Sequence, residues 1–374
     1  YMIKNKYSKV CHLTSVHSPF DVRIFYKECK SLLKAGYDVV LIAQHERDET
    51  VDGIKIKALP KVKSRLERMV RLPLIILKKA LEEGADVYHF HDPELIPVGL
   101  ILKLYRKKVI YDIHEDYKSK ILSKSYITPP LRKIISTLFD LFEKQSSKCF
   151  DALITADNYV KSRFRYGNVY RVANFPPLLD IRKIQRNDGK VICVYSGGLS
   201  EDRGIAKIVG ALQYLKDIPV EVILLGEWEN EYIKNYALRN SEVKYLGYKT
   251  WDEVMKTLAM ADIGLNLLQP VPAYLYAAEN SVKIFEYMMV RLPVVSSNFE
   301  GLKNIIEENK CGITVDPSSS KEIAEAIRYL FEHPEEAKKM GENGRRAVEE
   351  KYNWENESKK LIKVYETLLF WNKS

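Results

Sequence analysis

The segment Ser196–Gly204 (SGGLSEDRG) sets paired glycines, Gly197 and Gly198, shortly before Arg203. Glycine lets a main chain approach a ligand closely, and a following helix would present its N-terminal amides to a phosphate. The guanidinium of Arg203 adds a forked positive charge suited to a diphosphate. The same residues also fit a tight strand-to-helix turn with a surface arginine. They are not G-x-G-x-x-G, which argues against a standard dinucleotide site. A second segment, Glu279–Ser297, opens with Asn280 and Ser281, both N-cap residue types. Lys283 then falls in the first turn of the expected helix, where the dipole disfavours a cation. A bound anion would resolve that conflict. Glu286, three residues on, shares the helix face and can accept hydrogen bonds from both hydroxyls of a ribose. The plain alternative is a surface Lys–Glu pair.

Three further polar clusters fall at the ends of expected strands: Val16–Ile24 with His17, Asp21 and Arg23; Asp86–Glu94 with His91 and Asp92; and Tyr111–Tyr117 with His114 and Glu115. In parallel sheets ligands bind beyond the carboxyl ends of the strands, so these positions are where chemistry is expected. His89, His91 and His114 raise the idea of a metal. Residues two apart on a strand point the same way, however, and His89 is placed toward the core. No metal site is expected.

The elements that must hold these residues alternate regularly. Strands are expected at Val10–Ser15, Val39–Ala43, Ile54–Leu59, Val87–His91, Val109–His114 and Ala152–Thr155, with helices at Phe25–Lys34, Arg65–Glu83, Glu94–Tyr105, Leu131–Lys148 and Asn158–Phe164. A proline break at Asn174-Phe-Pro-Pro177 follows. The rhythm then restarts with strands at Val191–Tyr195, Val220–Leu225, Val243–Leu246, Ile263–Leu268, Pro293–Ser297 and Gly312–Val315. Helices at Lys321–Glu332, Pro334–Glu349 and Trp354–Leu369 close the chain. This is an α/β protein with two Rossmann-like parallel-sheet domains. Its 374 residues exceed what one core supports. The expected domains are 1–180, 181–352 and a terminal helix, 353–374, that crosses back to the first.

The net charge of +9 favours anionic partners such as nucleotide phosphates or an anionic membrane. It is spread along the chain with no nucleic-acid motif, so nucleic acid is not expected. Five cysteines without a close C-x-x-C pair read as reduced thiols. The first residues lack an apolar leader and the longest apolar stretches, Leu72–Leu77 and Leu95–Leu102, are too short to span a bilayer. A cytoplasmic protein is expected.

Together these motifs resemble the retaining glycosyltransferases of family 4, which have the GT-B fold with an interdomain cleft. The resemblance covers nearly the whole chain. Its strongest segments are Asp21-Val-Arg-Ile-Phe25, Asp86-Val-Tyr-His-Phe-His-Asp92, Tyr111-Asp-Ile-His-Glu115, Gly197-Gly-Leu with Arg203-Gly204, and Lys283-Ile-Phe-Glu-Tyr-Met288. The Asp-x-Arg-Ile-Phe and Tyr-Asp-x-His-Glu strings are similar to a sub-group found in surface-polysaccharide synthesis. The resemblance implies a hexosyltransferase-type enzyme, without metal or other cofactor, that uses a UDP- or GDP-linked sugar and a saccharide or lipid-linked saccharide acceptor.

By the same resemblance, His114, Arg203 and Lys283 are the catalytic groups. Gly197, Gly198, Arg203, Glu279, Asn280, Ser281, Lys283 and Glu286 would bind the donor. His17, Asp21, Arg23, His91, Asp92 and Glu115 lie on the acceptor side. Two positions depart from the family pattern. Gly198 stands where the family usually has an arginine. Ala278 stands at the first glutamate of its two-glutamate motif, which moves that contact to Glu279 or to amides near Asn280. The basic, apolar stretch Lys61–Lys79 fits either a peripheral membrane contact at the inner face or a packed helix with a solvated basic side. The competing functions are a nucleotide-sugar epimerase and a non-catalytic nucleotide-sugar-binding protein.

Overall fold

A computed structural model describes residues 8–370 apart from 125, 166, 167, 185, 187 and 277. The first seven residues and Trp371 lie outside the described residues. The chain forms two compact units. One runs to Asn174 and takes up the chain again at Trp354; the other is Phe175–Asn353. The break thus falls earlier than residue 180, because the Phe175 ring packs on Phe285 and Tyr352 of the second unit at 4.7 and 5.2 Å. Asn353 also stays with the second unit, since its amide donates to the carbonyls of Val348 and Glu349.

The first unit is built on β1 (Lys9–Leu13), β2 (Asp38–Gln44), β3 (Glu49–Val51), β4 (Ile54–Leu59), β5 (Val87–Phe90), β6 (Lys108–Ile113), β7 (Ala152–Thr155) and β8 (Val169–Arg171). Their order is β3-β4-β2-β1-β5-β6-β7-β8. All pairs are parallel except β3–β4. Sequence reading passes over β3 and β8. The short β3 is closed by Asp52 and Gly53, both at positive φ, the hairpin signature of an Asp-Gly pair.

Alternation along each strand divides the side chains between two cores. Cys11, Leu13, Tyr88, Phe90, Tyr111 and Ile113 face one side. Val10, Val39, Val87 and Ile110 face the other, which is covered by Trp354, Leu361, Val364 and Tyr365 of the helix Trp354–Phe370. His12 pairs in register with His89, so both imidazoles fall on this second side.

The second unit contains β9 (Val191–Ser196), β10 (Val220–Leu225), β11 (Val243–Gly247), β12 (Ile263–Asn266), β13 (Val294–Ser297) and β14 (Gly312–Val315). All are parallel, in the order β11-β10-β9-β12-β13-β14. Counted from its own first strand this is 3-2-1-4-5-6, the doubly wound order. The first unit repeats that order once the edge strands β3 and β8 are set aside. Each unit therefore has one switch point, where neighbouring strands lead away in opposite directions: β1/β5 in the first and β9/β12 in the second.

One sequence expectation changes in detail. The expected helix Phe25–Lys34 begins earlier, as a π-helical segment Val22–Cys29 capped by the Asp21 carboxylate on the amides of Arg23 and Ile24. It continues as α-helix over Lys30–Lys34. The five thiols are unpaired, and all but Cys149 are buried. Among the described residues no helix is long and apolar enough to cross a membrane.

At the second switch point main chain meets main chain. Gly204 has φ +82°, and a Cβ there would lie 2.1 Å from the Leu267 carbonyl oxygen. Gly204→Ala should therefore destabilise the second unit by more than about 1 kcal/mol, read as a lower urea midpoint. An unchanged midpoint would mean the loop relaxes freely.

Candidate functional site

In the second unit, three side chains from three segments gather around Gly197. Tyr195 is the penultimate residue of β9, and its hydroxyl donates to the Gly198 carbonyl at 3.0 Å. Arg203 follows the glycine turn, and Lys283 lies in the first turn of the helix Val282–Met289 after β12. A Cβ at Gly197 would sit 3.4 Å from Lys283 Cε, 3.5 Å from Arg203 Nη1 and 3.5 Å from the Tyr195 hydroxyl. Gly197 itself has φ +131°, a conformation that only glycine adopts readily. Lys283 Nζ lies 4.8 Å from the centre of the Tyr195 ring, and the Arg203 guanidinium 5.8 Å from that of Tyr274.

Among the described residues, neither cation has a carboxylate within 4.0 Å. Burial, and then the Arg203 charge, push Lys283 down to about 7, with Glu286 acting the other way. The side chain keeps some exposed surface, but its ammonium is enclosed enough for desolvation to lead. Among the described residues, Arg203 and Lys283 thus meet over a glycine turn with no carboxylate in contact with either.

The surroundings fix this geometry. Fully buried Tyr287 bridges the switch point: its hydroxyl accepts from Ser196 N at 3.1 Å and donates to the Leu265 carbonyl at 3.2 Å. Ser281 is the N-cap of the Lys283 helix, but its hydroxyl turns to Asn266 Oδ1 at 3.2 Å instead of capping. The Asn280 side chain accepts from Ala278 N at 3.1 Å. Glu286 accepts from Trp251 Nε1 at 2.8 Å. Glu279 lies half-buried in the turn before the helix. Tyr195, Trp251, Tyr274 and Tyr287 have no sequence signal that marks them; they are ordinary aromatic residues until the fold brings them together.

The first unit gathers a different set beyond β1, β5 and β6. Arg23 is buried and grips Asp112 with two hydrogen bonds of 3.0 Å, from Nε to Oδ2 and from Nη2 to Oδ1. Nη2 also donates to the Val172 carbonyl at 3.1 Å. Glu28 Oε1 lies 3.0 Å from Arg23 Nε. Burial, then the Asp112 charge, raise Glu28 well above the carboxylate range, so it stays protonated. Burial works against ionising Asp112, yet Arg23 and His114 hold it well below that range. One cation and one anion are thus enclosed together.

His114 rests on this pair, with Nε2 3.0 Å from Asp112 Oδ2 and 3.1 Å from His91 Nδ1. His12 Nδ1 is 3.0 Å from His91 Nε2, and Tyr365 Oη is 3.3 Å from His12 Nε2 and 2.7 Å from His89 Nδ1. Burial drives His12 and His89 well below their usual pKa and His91 to about 4, so these three are neutral. The charge of Asp112 assigns the proton to His114 Nε2, which leaves Nδ1 as its other, acceptor atom.

Asp92 closes the loop after β1. Its Oδ2 accepts from Ser15 N at 2.7 Å, Thr14 Oγ1 at 2.8 Å and Val16 N at 3.2 Å. His17 stands 3.2 Å from Asp21 and 3.5 Å from Asp92, with its ring 5.2 Å from that of His114. Burial opposes its charge, but the aspartates outweigh that and raise it.

The structure therefore brings His17, His91, Asp92 and His114 together, with Asp21 at the rim and Arg23 beneath. Glu115 stands apart, exposed and paired with Lys120. Sequence reading passes over Asp112, although it shares a strand face with His114. Among the described residues, His12, Glu28, His89 and His91 bring possible metal ligands within 4.8 Å of one another, as do His91, Asp112 and His114. The His12–His91 and His91–His114 hydrogen bonds lie inside these groups, and an ion would have to displace them.

Comparison with known proteins follows the same division into units. The model described as Glycosyltransferase Family 4 matches residues 22–172, and that described as Glycosyl transferases group 1 matches 179–347. The chain belongs to the group 1, family 4 glycosyltransferases. This glycosyltransferase is 26% identical over 271 residues to D-rhamnosyltransferase WbpZ of Pseudomonas aeruginosa, covering 71% of this chain and 69% of that one. Its matches to several other curated relatives span only about half of their length. Among solved structures it is similar to sucrose-phosphate synthase from Thermosynechococcus elongatus (TM-score 0.79, 16% identity, 96% of this chain and 99% of that one). It is also similar to Anabaena Alr3699/HepE in complex with UDP and glucose (TM-score 0.73, 15% identity, 96% and 100%). At these identities the structures establish the GT-B fold.

The enclosed Arg23–Asp112 pair makes a defined prediction. Arg23→Ala strands a buried carboxylate and should destabilise the first unit by about 3–5 kcal/mol. Asp112→Asn removes the carboxylate that orients the His114 ring and should lower any His114-dependent rate. Urea unfolding and steady-state kinetics check these, and a loss under about 1 kcal/mol would show the pair to be dispensable.

Proposed function

We propose that this glycosyltransferase moves a sugar from a nucleoside diphosphate, UDP- or GDP-linked, to a saccharide or lipid-linked saccharide acceptor. The observation that carries this reading is the pair Arg203 and Lys283 at the β9/β12 switch point, two basic groups that among the described residues have no carboxylate partner. A diphosphate supplies the missing anion, and the glycines at 197 and 198 let it approach the main chain. Glu286, held by Trp251 with its other oxygen unused in that bond, is suited to ribose hydroxyls. Glu279 and the amides around Asn280 and Ser281 are the nearest candidates for the sugar. Anabaena HepE forms a complex with UDP and glucose, which agrees with such a donor.

Breaking the anomeric C–O bond places negative charge on the departing diphosphate. Arg203 and Lys283 stabilise that charge where it develops. In the first unit, Asp112 and His91 fix the tautomer of His114, which presents Nδ1 to a hydroxyl of the sugar or acceptor. His114 orients; no side chain is assigned as a covalent nucleophile. We read the transfer as retaining, through attack on the face from which the phosphate leaves, with that phosphate accepting the acceptor's proton. His17, Asp21, His91 and Asp92 form the acceptor-side surface, while Arg23 supports it through Asp112. The place of the reaction in surface polysaccharide synthesis and a cytoplasmic location belong to the same proposal.

Either UDP or GDP should raise the melting temperature of the chain, by mass action on the native state. Arg203→Ala should lower kcat/KM by about tenfold or more, the loss of one charge-assisted contact to the leaving group. Unchanged kinetics would remove Arg203 from the site. A bound diphosphate should also return Lys283 to the ordinary lysine range. Binding then takes up a proton wherever the free lysine is neutral. Affinity should accordingly be highest below pH 7 and fall as pH rises through about 7, by up to about tenfold per pH unit. Isothermal titration in buffers of different ionisation enthalpy measures this directly, and Lys283→Arg should flatten the profile.

A further inference from the structure

The helix Pro129–Ser147 carries its polarity the wrong way round for a soluble domain. Its buried residues are Ser136, Asp140, Glu143, Ser146 and Ser147. Asp140 and Glu143 converge on Arg163 at 2.6 and 3.1 Å, and Tyr111 donates to Glu143 at 2.9 Å. The outward side is apolar instead: Leu131, Ile134, Ile135, Leu138, Leu141 and Phe142 are 37–62% exposed. Their three- and four-residue steps make one continuous stripe. A surface helix normally turns such a stripe inward, and a contiguous apolar patch facing water marks an interaction site.

The charges around the stripe have one sign. From Tyr117 to Lys148 the only acids are Asp140 and Glu143, both buried. Lys118, Lys120, Lys133, Lys144 and Lys148 all reach solvent. Lys144 and Lys148, with Arg165, Leu141 and Phe164, line a pocket of about 360 Å³ at the C-terminal end of the helix. The basic stretch Lys61–Lys79 also exposes apolar residues, Leu66, Met69, Val70 and Leu74. Its helix differs in sending Leu72 and Ile76 into the core and in setting the Glu67–Arg71 ion pair among those outer residues.

We propose that the outer face of Pro129–Ser147 docks on an anionic lipid bilayer. The helix lies along the interface with Leu138, Leu141 and Phe142 in the headgroup–acyl boundary and the lysines on lipid phosphates. A second copy of the chain is the weaker occupant, because a two-fold pairing sets this cationic rim against itself. The proposal deepens the lipid-linked acceptor in the function above, but it does not depend on the donor chemistry.

The test is sedimentation of the full chain with vesicles of phosphatidylcholine alone or with phosphatidylglycerol added. The chain should pellet with the anionic vesicles, and added salt should weaken this. Leu138→Ser/Leu141→Ser/Phe142→Ser should reduce binding by about tenfold or more. Lys133→Glu/Lys148→Glu should abolish the preference for phosphatidylglycerol. Both variants change exposed positions and should keep the wild-type melting temperature and its shift with nucleotide. A wild-type chain that ignores both vesicle types overturns the proposal. So does a dimer, by analytical ultracentrifugation, that the serine variant converts to monomer. Vesicle binding without any nucleotide shift upholds this proposal and sinks the donor reading.

Discussion

The first unit depends on one enclosed ion pair. Arg23 comes from the π-helical segment after β1 and Asp112 from β6, so the pair ties a connection to a central strand. Burying two charges is unfavourable unless their remaining hydrogen-bonding capacity is met. Here the Val172 carbonyl takes part of the guanidinium, and His114 lies on the carboxylate. The neutral state of Glu28 follows, since a second anion beside Asp112 would leave the pocket with excess charge. Burial keeps His12, His89 and His91 neutral as well, against the pull of Asp112. Their hydrogen bonds can then run in one direction, from His114 through His91 and His12 to Tyr365, without two protons or two lone pairs meeting.

The second unit has the opposite imbalance. Among the described residues Arg203 and Lys283 have no carboxylate in contact, and Gly197 keeps the turn between them free of a side chain of its own. Tyr287 ties the ends of β9 and β12 through its hydroxyl, while a Cβ at Gly264 would strike its ring at 2.5 Å. Rigid backbone and basic groups held by neutral partners are what a site needs if the energy of binding is to be spent on an arriving anion instead of on rearrangement.

The fold was largely legible because parallel strands buried on both faces make nearly continuous apolar runs, and helices between them keep their own period. Gly197, Gly198, Arg203 and Lys283 were legible because glycine and misplaced charge carry positional meaning. What bonds to what was less so. Arg23 and Asp112 are 89 positions apart, and nothing local marks them as partners. Trp251 and Tyr287 act through single polar atoms on otherwise apolar bodies. The helix Pro129–Ser147 was readable as a helix, but its orientation was not. Pattern alone turns Leu138 and Leu141 inward, and only Arg163, reached through the fold, draws Asp140 and Glu143 to the inside instead.

The helix Trp354–Phe370 covers one face of the first sheet, yet the second unit lies between them in the chain. During synthesis, residues up to Asn174 leave the ribosome long before this cover exists. Until then Val10, Val39, Val87 and Ile110 lack the apolar layer of Trp354, Leu361 and Val364, and His89 lacks the hydroxyl of Tyr365. The first unit therefore cannot mature in the order in which it is made. Its sheet waits, one side incomplete, while an entire second unit is translated, and a chain cut short near its end loses the first unit's cover rather than a dispensable tail.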